Sequence, residues 1–228
     1  MDRQEAMLRE LNLYPQWTLR APVEQVVAAG VEAVALEKQP EFIPANTWPE
    51  LKQQVRDCER CGLRAGCTQT VFGGGDEKAD WLFVGEGPGA DEDALGEPFV
   101  GQAGKLLDNM LAAIKLARGK QVFIANVVKC RPPNNRNPAA NEIAQCLPYL
   151  QRQIELIQPK LIVALGKVAA TNLLGEDVPL ASLRGTLHDY HGIPLVVTYH
   201  PAYLLRSPSE KAKAWQDLCF ALDVMGEA

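Results

Sequence analysis

The sequence lacks any apolar run of about 18 residues, the length that a membrane-spanning helix needs. Its first ten residues, MDRQEAMLRE, also lack the apolar stretch of a secretory signal. We therefore expect no membrane partner and a location in the cytoplasm. Hydrophobic residues nevertheless make up 47% of the 228 positions, which is enough to bury a core without stabilising cross-links.

An excess of positive charge is absent too, since the net charge is -5. This argues against a broad basic surface of the kind that binds nucleic acid non-specifically. The acidity is uneven, because residues 1–50 hold 4 Lys+Arg and 8 Asp+Glu, whereas the rest of the chain holds 19 and 20. The larger part is near neutral, so local clusters of charge decide what it binds, and the total does not exclude DNA.

The first part of the chain differs in composition from the remainder. Residues 1–46 are rich in Ala, Val, Glu and Pro, which predicts a mobile or loosely docked appendage and linker. Within it, Tyr14 and Trp17 indicate either a docking spot for a replication or repair partner or a weak local cluster, which we favour. A capping-box pattern that begins at Thr47 predicts that a single main domain spans residues 47–228.

Four short apolar segments rich in β-branched residues recur in the main domain, with helical patterns between them. They are residues 81–84, 122–127, 161–165 and 195–198. Strands that alternate with helices predict an α/β fold, in which a parallel sheet carries helices on both faces. In such folds ligands bind beyond the carboxyl ends of the strands. The sequence contains no internal repeat.

The first segment leads into a glycine-rich stretch. Residues 85–90 satisfy the loose dinucleotide fingerprint G-x-G-x-x-G/A, although a tight turn also needs glycines. Three acidic residues, 91–93, follow where a pyrophosphate would lie, and their negative charge argues against NAD as a ligand. What remains is a backbone loop that lets a small ligand approach closely, with carboxylates offered by Glu86 and Glu92.

Polar groups also follow the second and fourth segments. Asn126 carries an amide donor and a carbonyl acceptor, which suit either ligand reading or the capping of a turn. Residues 129–136 hold three cations and no acid, which predicts contacts with phosphates. His200 lies where the fold binds ligands, although a lone histidine is usually structural. The apolar residues and arginine at 204–206 suit a wedge in a nucleic-acid groove or a surface turn.

The cysteines are clustered in a way that disulfides in a reducing compartment do not explain. Cys58 and Cys61 have the spacing of metal ligands, whereas Cys130 and Cys146 are unspecific by themselves. Four thiolates can hold zinc or an iron–sulfur cluster, and the spacing does not decide between them. Cys67 is a competitor for one ligand position.

Taken together, residues 47–228 resemble the family 4 uracil-DNA glycosylases, the iron–sulfur branch of that superfamily. The resemblance rests on four segments and four cysteines that occur in the family's order. They are GEGPG at 85–89, EPFVG at 97–101, NVVKCRPP at 126–133, HPAY at 200–203, and Cys58, Cys61, Cys130 and Cys146. Each piece alone is weakly specific, but the combination is highly specific and covers about four fifths of the chain.

The resemblance implies a three-layer α/β/α sandwich around a four-stranded parallel sheet, with a [4Fe-4S] cluster favoured over zinc. It implies hydrolysis of the N-glycosidic bond of deoxyuridine in DNA, which releases uracil and leaves an abasic site. We expect a monomer in a bacterial cytoplasm, associated with the nucleoid through its binding of DNA. We expect the cluster to be structural, with redox sensing as the alternative.

The resemblance also implies roles for individual residues. Phe99 stacks on uracil, Asn126 reads its Watson–Crick edge, and His200 donates a hydrogen bond to a uracil carbonyl. Positions tied to pocket shape or catalysis are Glu86, Gly87, Glu92 and Asn135. Gly87 stands where the best-studied family has a water-positioning aspartate, so the sequence does not identify the water-activating group. The residues expected to contact DNA or fill the place of the flipped base are Lys129, Arg131, Arg136, Leu204, Leu205 and Arg206.

Two alternatives remain beside this interpretation. A related branch cross-links to the uracil site through a histidine in an inserted basic loop, but residues 181–188 are short and lack a run of cations. The other alternative is a metal-cluster protein of the same fold that binds uracil-containing DNA without turnover.

Thymine differs from uracil by one methyl group, so its exclusion has to be steric, with Glu86 or the adjacent loop as the candidate.

Overall fold

A computed structural model describes residues 45–227. The predicted appendage at residues 1–46 therefore lies outside the described residues, apart from its last two positions. The domain begins as expected, because Thr47 caps the first helix in a capping box with Glu50. Among the described residues, no helix is long and apolar enough to cross a membrane.

One mixed sheet of six strands lies at the centre of the described region. The strands are β1 (Gly74–Gly75), β2 (Trp81–Gly85), β3 (Val122–Asn126), β4 (Leu161–Leu165), β5 (His188–Tyr190) and β6 (Ile193–Thr198). Their order is β1-β3-β2-β4-β6-β5, in which the inner four are parallel and the two edge strands are antiparallel. The four predicted strands are confirmed, whereas the short edge strands, with glycines in β1 and polar residues in β5, were not predicted.

Helices connect the strands and cover the sheet. They are α1 (Trp48–Arg56), α2 (Leu63–Gly66), α3 (Ala90–Leu95), α4 (Gln102–Ala113), α5 (Ala140–Ile157), α6 (Lys167–Leu174), α7 (Leu180–Leu183), α8 (Pro201–Arg206) and α9 (Lys211–Glu227). Two short 3-10 turns, Pro133–Asn135 and Pro208–Glu210, lie between them.

The core is divided by the sheet into two clusters, because successive side chains of a strand point to opposite faces. In β2, Leu82 and Val84 belong to one cluster, and Trp81 and Phe83 belong to the other. Buried residues of α1, α5 and α6 join the first cluster, and those of α4 and α9 join the second. The predicted three-layer α/β/α arrangement is therefore confirmed.

The register of the parallel strands decides which residues meet at the carboxyl edge of the sheet. Gly85, the last residue of β2, pairs with Asn126, the last residue of β3. On the other side, β4 pairs with β6, and the chain reaches His200 two residues after β6 ends. The motif-bearing segments thus converge on one edge.

Candidate active site

A cavity of about 480 Å³ opens beyond the carboxyl ends of β2, β3 and β6. It is lined by every residue predicted to act in catalysis or substrate binding. They are Glu86, Gly87, Glu92, Phe99, Asn126, Asn135 and His200. Residues separated by up to 114 positions in the chain, from Glu86 to His200, are therefore brought together by the sheet.

Asn126 forms the floor of this cavity at the end of β3. Its side chain is buried, and its Oδ1 atom has no hydrogen-bond partner among the described residues. A buried acceptor without a partner is unfavourable by about 1–3 kcal/mol. It therefore marks a position where a ligand donor fits. Gly85 permits this packing, because a Cβ atom there would lie 2.5 Å from Asn126 Oδ1.

Phe99 lies beside the asparagine in an uncommon backbone conformation, with a φ angle of 55°. Its ring is buried and lies 5.5 Å from the His200 ring, centroid to centroid. Gly104 allows the close approach of the helix that follows, because a Cβ atom there would clash with the Phe99 carbonyl. The turn thus presents an aromatic ring next to two polar groups.

His200 caps the amino end of α8. Its Nδ1 atom accepts a hydrogen bond from the Ala202 backbone N–H at 3.1 Å, which leaves Nε2 to carry the hydrogen in the neutral ring. The pKa of His200 is lowered to about 4, mainly by burial and also by the charge of Arg206, while Glu92 opposes the shift. At neutral pH this cavity-lining imidazole is therefore an uncharged hydrogen-bond donor.

Glu92 connects the two loops that frame the cavity. Its carboxylate accepts backbone hydrogen bonds from Gly89 at 3.0 Å, Val100 at 2.9 Å and Gly101 at 3.0 Å. Three backbone donors occupy most of the accepting capacity of one carboxylate. This geometry favours a role for Glu92 in the shape of the pocket over a direct role in catalysis.

Glu86 is in a different situation at the end of β2. It is partly buried against the cavity, and this burial raises the pKa of its carboxyl group. A desolvated carboxylate binds a proton, or a water molecule, more strongly than an exposed one does. Asn135, the remaining predicted catalytic residue, is exposed and accepts a hydrogen bond from Arg131 at 2.7 Å.

The cysteines meet on one side of the first core cluster. A second cavity is lined by all four predicted ligands, Cys58, Cys61, Cys130 and Cys146, but not by Cys67. The Cys67 thiol instead donates a hydrogen bond to the Arg64 carbonyl at 3.6 Å. The Lys129 backbone N–H donates to Cys146 Sγ at 3.2 Å.

Three of the thiols in this second cavity hold their protons strongly. Burial raises the pKa of Cys146 to about 12, against the lowering effect of Lys129. It also raises the pKa of Cys61 and Cys130. Within residues 45–227, no group of three or more His, Cys, Asp or Glu side chains could hold a metal ion.

Comparison with known proteins identifies the superfamily to which this chain belongs. Residues 72–219 match the sequence profile of the uracil DNA glycosylase superfamily, and this segment includes all six strands of the mixed sheet. The chain belongs to that superfamily. The predicted resemblance is thereby confirmed.

Relatives named type-4 uracil-DNA glycosylase are similar over most of their length. The protein of Archaeoglobus fulgidus is 43% identical over 167 residues, which cover 70% of this chain and 83% of the relative. The one from Thermotoga maritima is 44% identical over 165 residues, covering 72% and 85%. The one from Pyrobaculum aerophilum is 41% identical over 179 residues, covering 74% and 90%.

Two of the six predicted DNA contacts in this superfamily member are wrong. Lys129 is only 1% exposed, and its Nζ atom donates to the Asn126 carbonyl at 2.8 Å and to Gln153 Oε1 at 2.6 Å. Leu204 is also 1% exposed, because it packs against the helices behind α8. Neither side chain reaches the surface, so neither can touch a phosphate or fill a base stack.

The other four predicted DNA contacts reach the surface or the cavity. Arg206 is exposed and lines the cavity, while Leu205 is 43% exposed on the same short helix. Arg131 is half-buried against Asn135. Arg136 is exposed but forms a bidentate ion pair with Glu142, which offsets its charge.

Two further residues of this glycosylase-superfamily site escaped sequence analysis. Tyr203 lies inside the HPAY segment and lines the cavity, and its aromatic character was the available signal. Arg118 binds the turn that carries Phe99, but it lies in a loop 19 positions away with no motif around it. No pattern in the chain points to such a contact.

Proposed function

We propose that this protein is a DNA-repair glycosylase that flips deoxyuridine out of DNA and hydrolyses its N-glycosidic bond. The products are free uracil and an abasic site, in line with the name of its relatives. The observation that carries the proposal is the buried Oδ1 atom of Asn126, which has no hydrogen-bond partner in the part of the chain that the structure describes and lies in a cavity of about 480 Å³. We also propose that the protein is a monomer and that it acts on chromosomal DNA in the cytoplasm.

Recognition of uracil follows from the donors and acceptors in the cavity. Uracil presents an N–H donor next to a carbonyl acceptor, which is the complement of the Asn126 amide. Cytosine presents an acceptor next to an amino donor, so both groups would meet mismatched partners. Stacking of the base on the Phe99 ring adds about 1–3 kcal/mol. This gain offsets the few kcal/mol that base flipping requires.

Cleavage places negative charge on the departing uracil and positive charge on the sugar. A hydrogen bond from His200 Nε2 to the uracil carbonyl strengthens as that charge develops. One well-placed donor of this kind contributes on the order of 3 kcal/mol to transition-state stabilisation. The neutral ring is suited to the role because Ala202 holds its Nδ1 atom and burial keeps the pKa low.

We assign the water-orienting role to Glu86 rather than Glu92. Glu86 lines the cavity with a desolvated carboxyl group, whereas Glu92 is engaged by three backbone N–H groups. An ionised Glu86 also stabilises the positive sugar. Gly87 leaves this carboxylate without an acidic neighbour at the next position.

We propose that Cys58, Cys61, Cys130 and Cys146 hold a [4Fe-4S] cluster rather than zinc. The support is a donor set of four thiols around one cavity, with Cys67 outside it. A single zinc ion needs each of its sulfur ligands about 2.3 Å from the metal. A cluster of several irons would accept thiolates that stand farther apart. Such a cluster would cross-link the loop after α1 to the segment that follows Asn126.

The test is an assay of free uracil release and abasic-site cleavage on DNA oligonucleotides that contain one uracil, with cytosine and thymine oligonucleotides as controls. We expect release from the uracil substrate alone, and a loss of roughly 100-fold in the single-turnover rate for His200→Ala. An unchanged rate in that variant would contradict the assignment of His200.

The same assay distinguishes the alternatives. Tight binding without release of uracil would indicate a non-catalytic DNA-binding protein, and a uracil adduct stable to denaturing gels would indicate the cross-linking branch. His188, in the region that corresponds to the cross-linking loop, has its Nε2 atom 2.7 Å from the Leu183 carbonyl and 3.0 Å from Thr186 Oγ1. This engagement disfavours it as a nucleophile.

A further inference from the structure

Tyr203 is an aromatic residue at the cavity for which uracil recognition provides no role. It lines the same cavity as Asn126 and His200, yet its side chain is 38% exposed. Among residues 45–227, all but two of the aromatic side chains are buried or half-buried, and an exposed ring gains nothing from the core. An exposed ring beside a nucleobase pocket is a surface on which another base can stack.

The ring of Tyr203 is held in place by its neighbours. It packs against the Tyr199 ring, with the centroids 5.1 Å apart and the ring planes tilted by 31°. The Arg184 guanidinium lies 4.2 Å from the centroid of the Tyr199 ring. An aromatic ring fixed in this way loses little conformational entropy when a ligand stacks on it.

The support for Tyr199 extends into the core. Arg184 forms a bidentate ion pair with Asp217, with N–O distances of 2.8 and 2.9 Å. The buried Thr198 hydroxyl donates to the same carboxylate at 2.7 Å. Because these groups are buried or half-buried, the pair of Tyr199 and Tyr203 is anchored to β6 and α9 rather than to a surface loop.

A cation accompanies the exposed ring. Arg206 follows Tyr203 by three positions on α8, so the two side chains share one face of the helix. Both residues line the cavity, and Arg206 is exposed. A flat aromatic ring next to a guanidinium matches the two parts of a nucleotide, its base and its phosphate.

We propose that Tyr203 and Arg206 form a second nucleotide subsite, which binds the nucleotide next to the flipped deoxyuridine. The Tyr203 ring stacks on the neighbouring base, and Arg206 binds the phosphate between the two nucleotides. Stacking does not depend on base identity, so the subsite accepts any base and works on a single strand. This inference rests on the proposed function, because it takes the cavity to hold uracil.

The experiment measures binding separately from catalysis. Fluorescence anisotropy is used with single-stranded oligonucleotides that carry 2′-fluoro-deoxyuridine, which resists cleavage of the glycosidic bond. One oligonucleotide has thymine on both sides, and the other has abasic tetrahydrofuran residues there, with all phosphates retained. We expect the wild type to lose roughly five- to hundredfold in affinity when the neighbouring bases are removed.

The variants decide which residue is responsible. Tyr203→Leu and Tyr203→Gln should bind both oligonucleotides equally weakly, while Tyr203→Phe should behave as the wild type does. Arg206→Gln should weaken binding of both oligonucleotides by the same factor. Trp215→Leu is the matched control, because it removes an aromatic side chain that is 46% exposed and lines another cavity.

The subsite is refuted if the wild type binds both oligonucleotides equally, or if Tyr203→Leu and Tyr203→Gln still discriminate as the wild type does. Thermal unfolding of each variant shows that a loss of affinity does not come from a loss of structure, and the comparison of the two oligonucleotides with the wild type keeps the test decisive if both of these variants unfold. Failure of the proposed function is distinguishable, because it would appear as no uracil release by the wild type from cleavable oligonucleotides.

Discussion

The guanidinium of Arg118 is hydrogen-bonded to the backbone turn that carries Phe99. Its Nη1 atom donates to the Pro98 carbonyl at 2.7 Å, and its Nη2 atom donates to the Phe99 carbonyl. Asp108 accepts from Nε at 2.5 Å and orients the group. Since Phe99 has a positive φ angle, which is unfavourable by about 1–3 kcal/mol, Arg118 stabilises a conformation that the chain would otherwise leave.

Replacement of Arg118 should loosen the uracil pocket. Lysine cannot bind two carbonyls and a carboxylate with one rigid fork, so Arg118→Lys should raise KM about tenfold and change kcat less. Inhibition by free uracil should weaken by a similar factor. Arg152→Lys is the matched control, because Arg152 also binds a backbone carbonyl and a carboxylate, at Ala45 and Glu155. Equal KM values for Arg118→Lys and Arg152→Lys would contradict this role.

His200 should remain neutral across the physiological range. Since burial lowers its pKa to about 4, its ring resonances in NMR should stay constant from pH 8 to 5.5 and move only as the pH approaches 4. As the pH falls from about 6.5 to 4, the unfolded chain binds a proton that the folded chain does not, so the free energy of unfolding decreases. His200→Asn should lack this part of the pH dependence in urea unfolding. A midpoint near 6.5 for His200 would overturn the assignment.

Asn126 should show a conflict between activity and stability. Asn126→Leu removes the unpartnered buried oxygen, so the free energy of unfolding should rise by about 1 kcal/mol. The same change removes the groups that read uracil, so kcat/KM should fall by about 100-fold or more. Chemical denaturation and single-turnover kinetics measure the two effects. A destabilised variant would show that the amide is bonded within the fold.

The two glutamates should respond oppositely to substitution. Glu92→Ala leaves three backbone N–H groups without their acceptor, so the free energy of unfolding should fall by about 2–4 kcal/mol. Glu86→Ala should leave stability unchanged or slightly higher, because a desolvated carboxylate is removed, while kcat falls. If Glu86→Ala kept full kcat and folded Glu92→Gln lost it, the roles would be reversed.

The salt dependence of DNA binding should separate Lys129 from Arg206. Each phosphate contact contributes about 0.9 to the slope of log affinity against log salt concentration. Arg206→Gln should therefore reduce that slope by about 1, whereas Lys129→Met should leave it unchanged and lower the melting temperature. The reason is that Lys129 is buried between the Asn126 carbonyl and Gln153. A reduced slope for folded Lys129→Met would return Lys129 to the DNA interface.

The wrong predictions for Lys129 and Leu204 have a common physical cause. Lys129 and Leu204 were placed at the DNA because a cationic stretch and an apolar tip suit that surface, but each side chain turns into the core. Direction of a side chain at a loop or a short helix depends on the neighbours that happen to pack there. The hydrogen bonds from Arg118 to the turn that carries Phe99 also cannot be predicted from the sequence, because the acceptors are backbone carbonyls that carry no sequence signal.

The sequence by itself determined the alternation of strands and helices, the motifs at the strand ends and the set of four cysteines, because these depend on local periodicity and on residue type. Only the tertiary structure decided that Asn126 Oδ1 has no partner within residues 45–227 and that Glu92 binds backbone N–H groups while Glu86 lines the cavity. It also decided that Tyr203 packs against Tyr199. These properties are relations between distant residues. They are set by strand register and by burial, which no single segment of the chain contains.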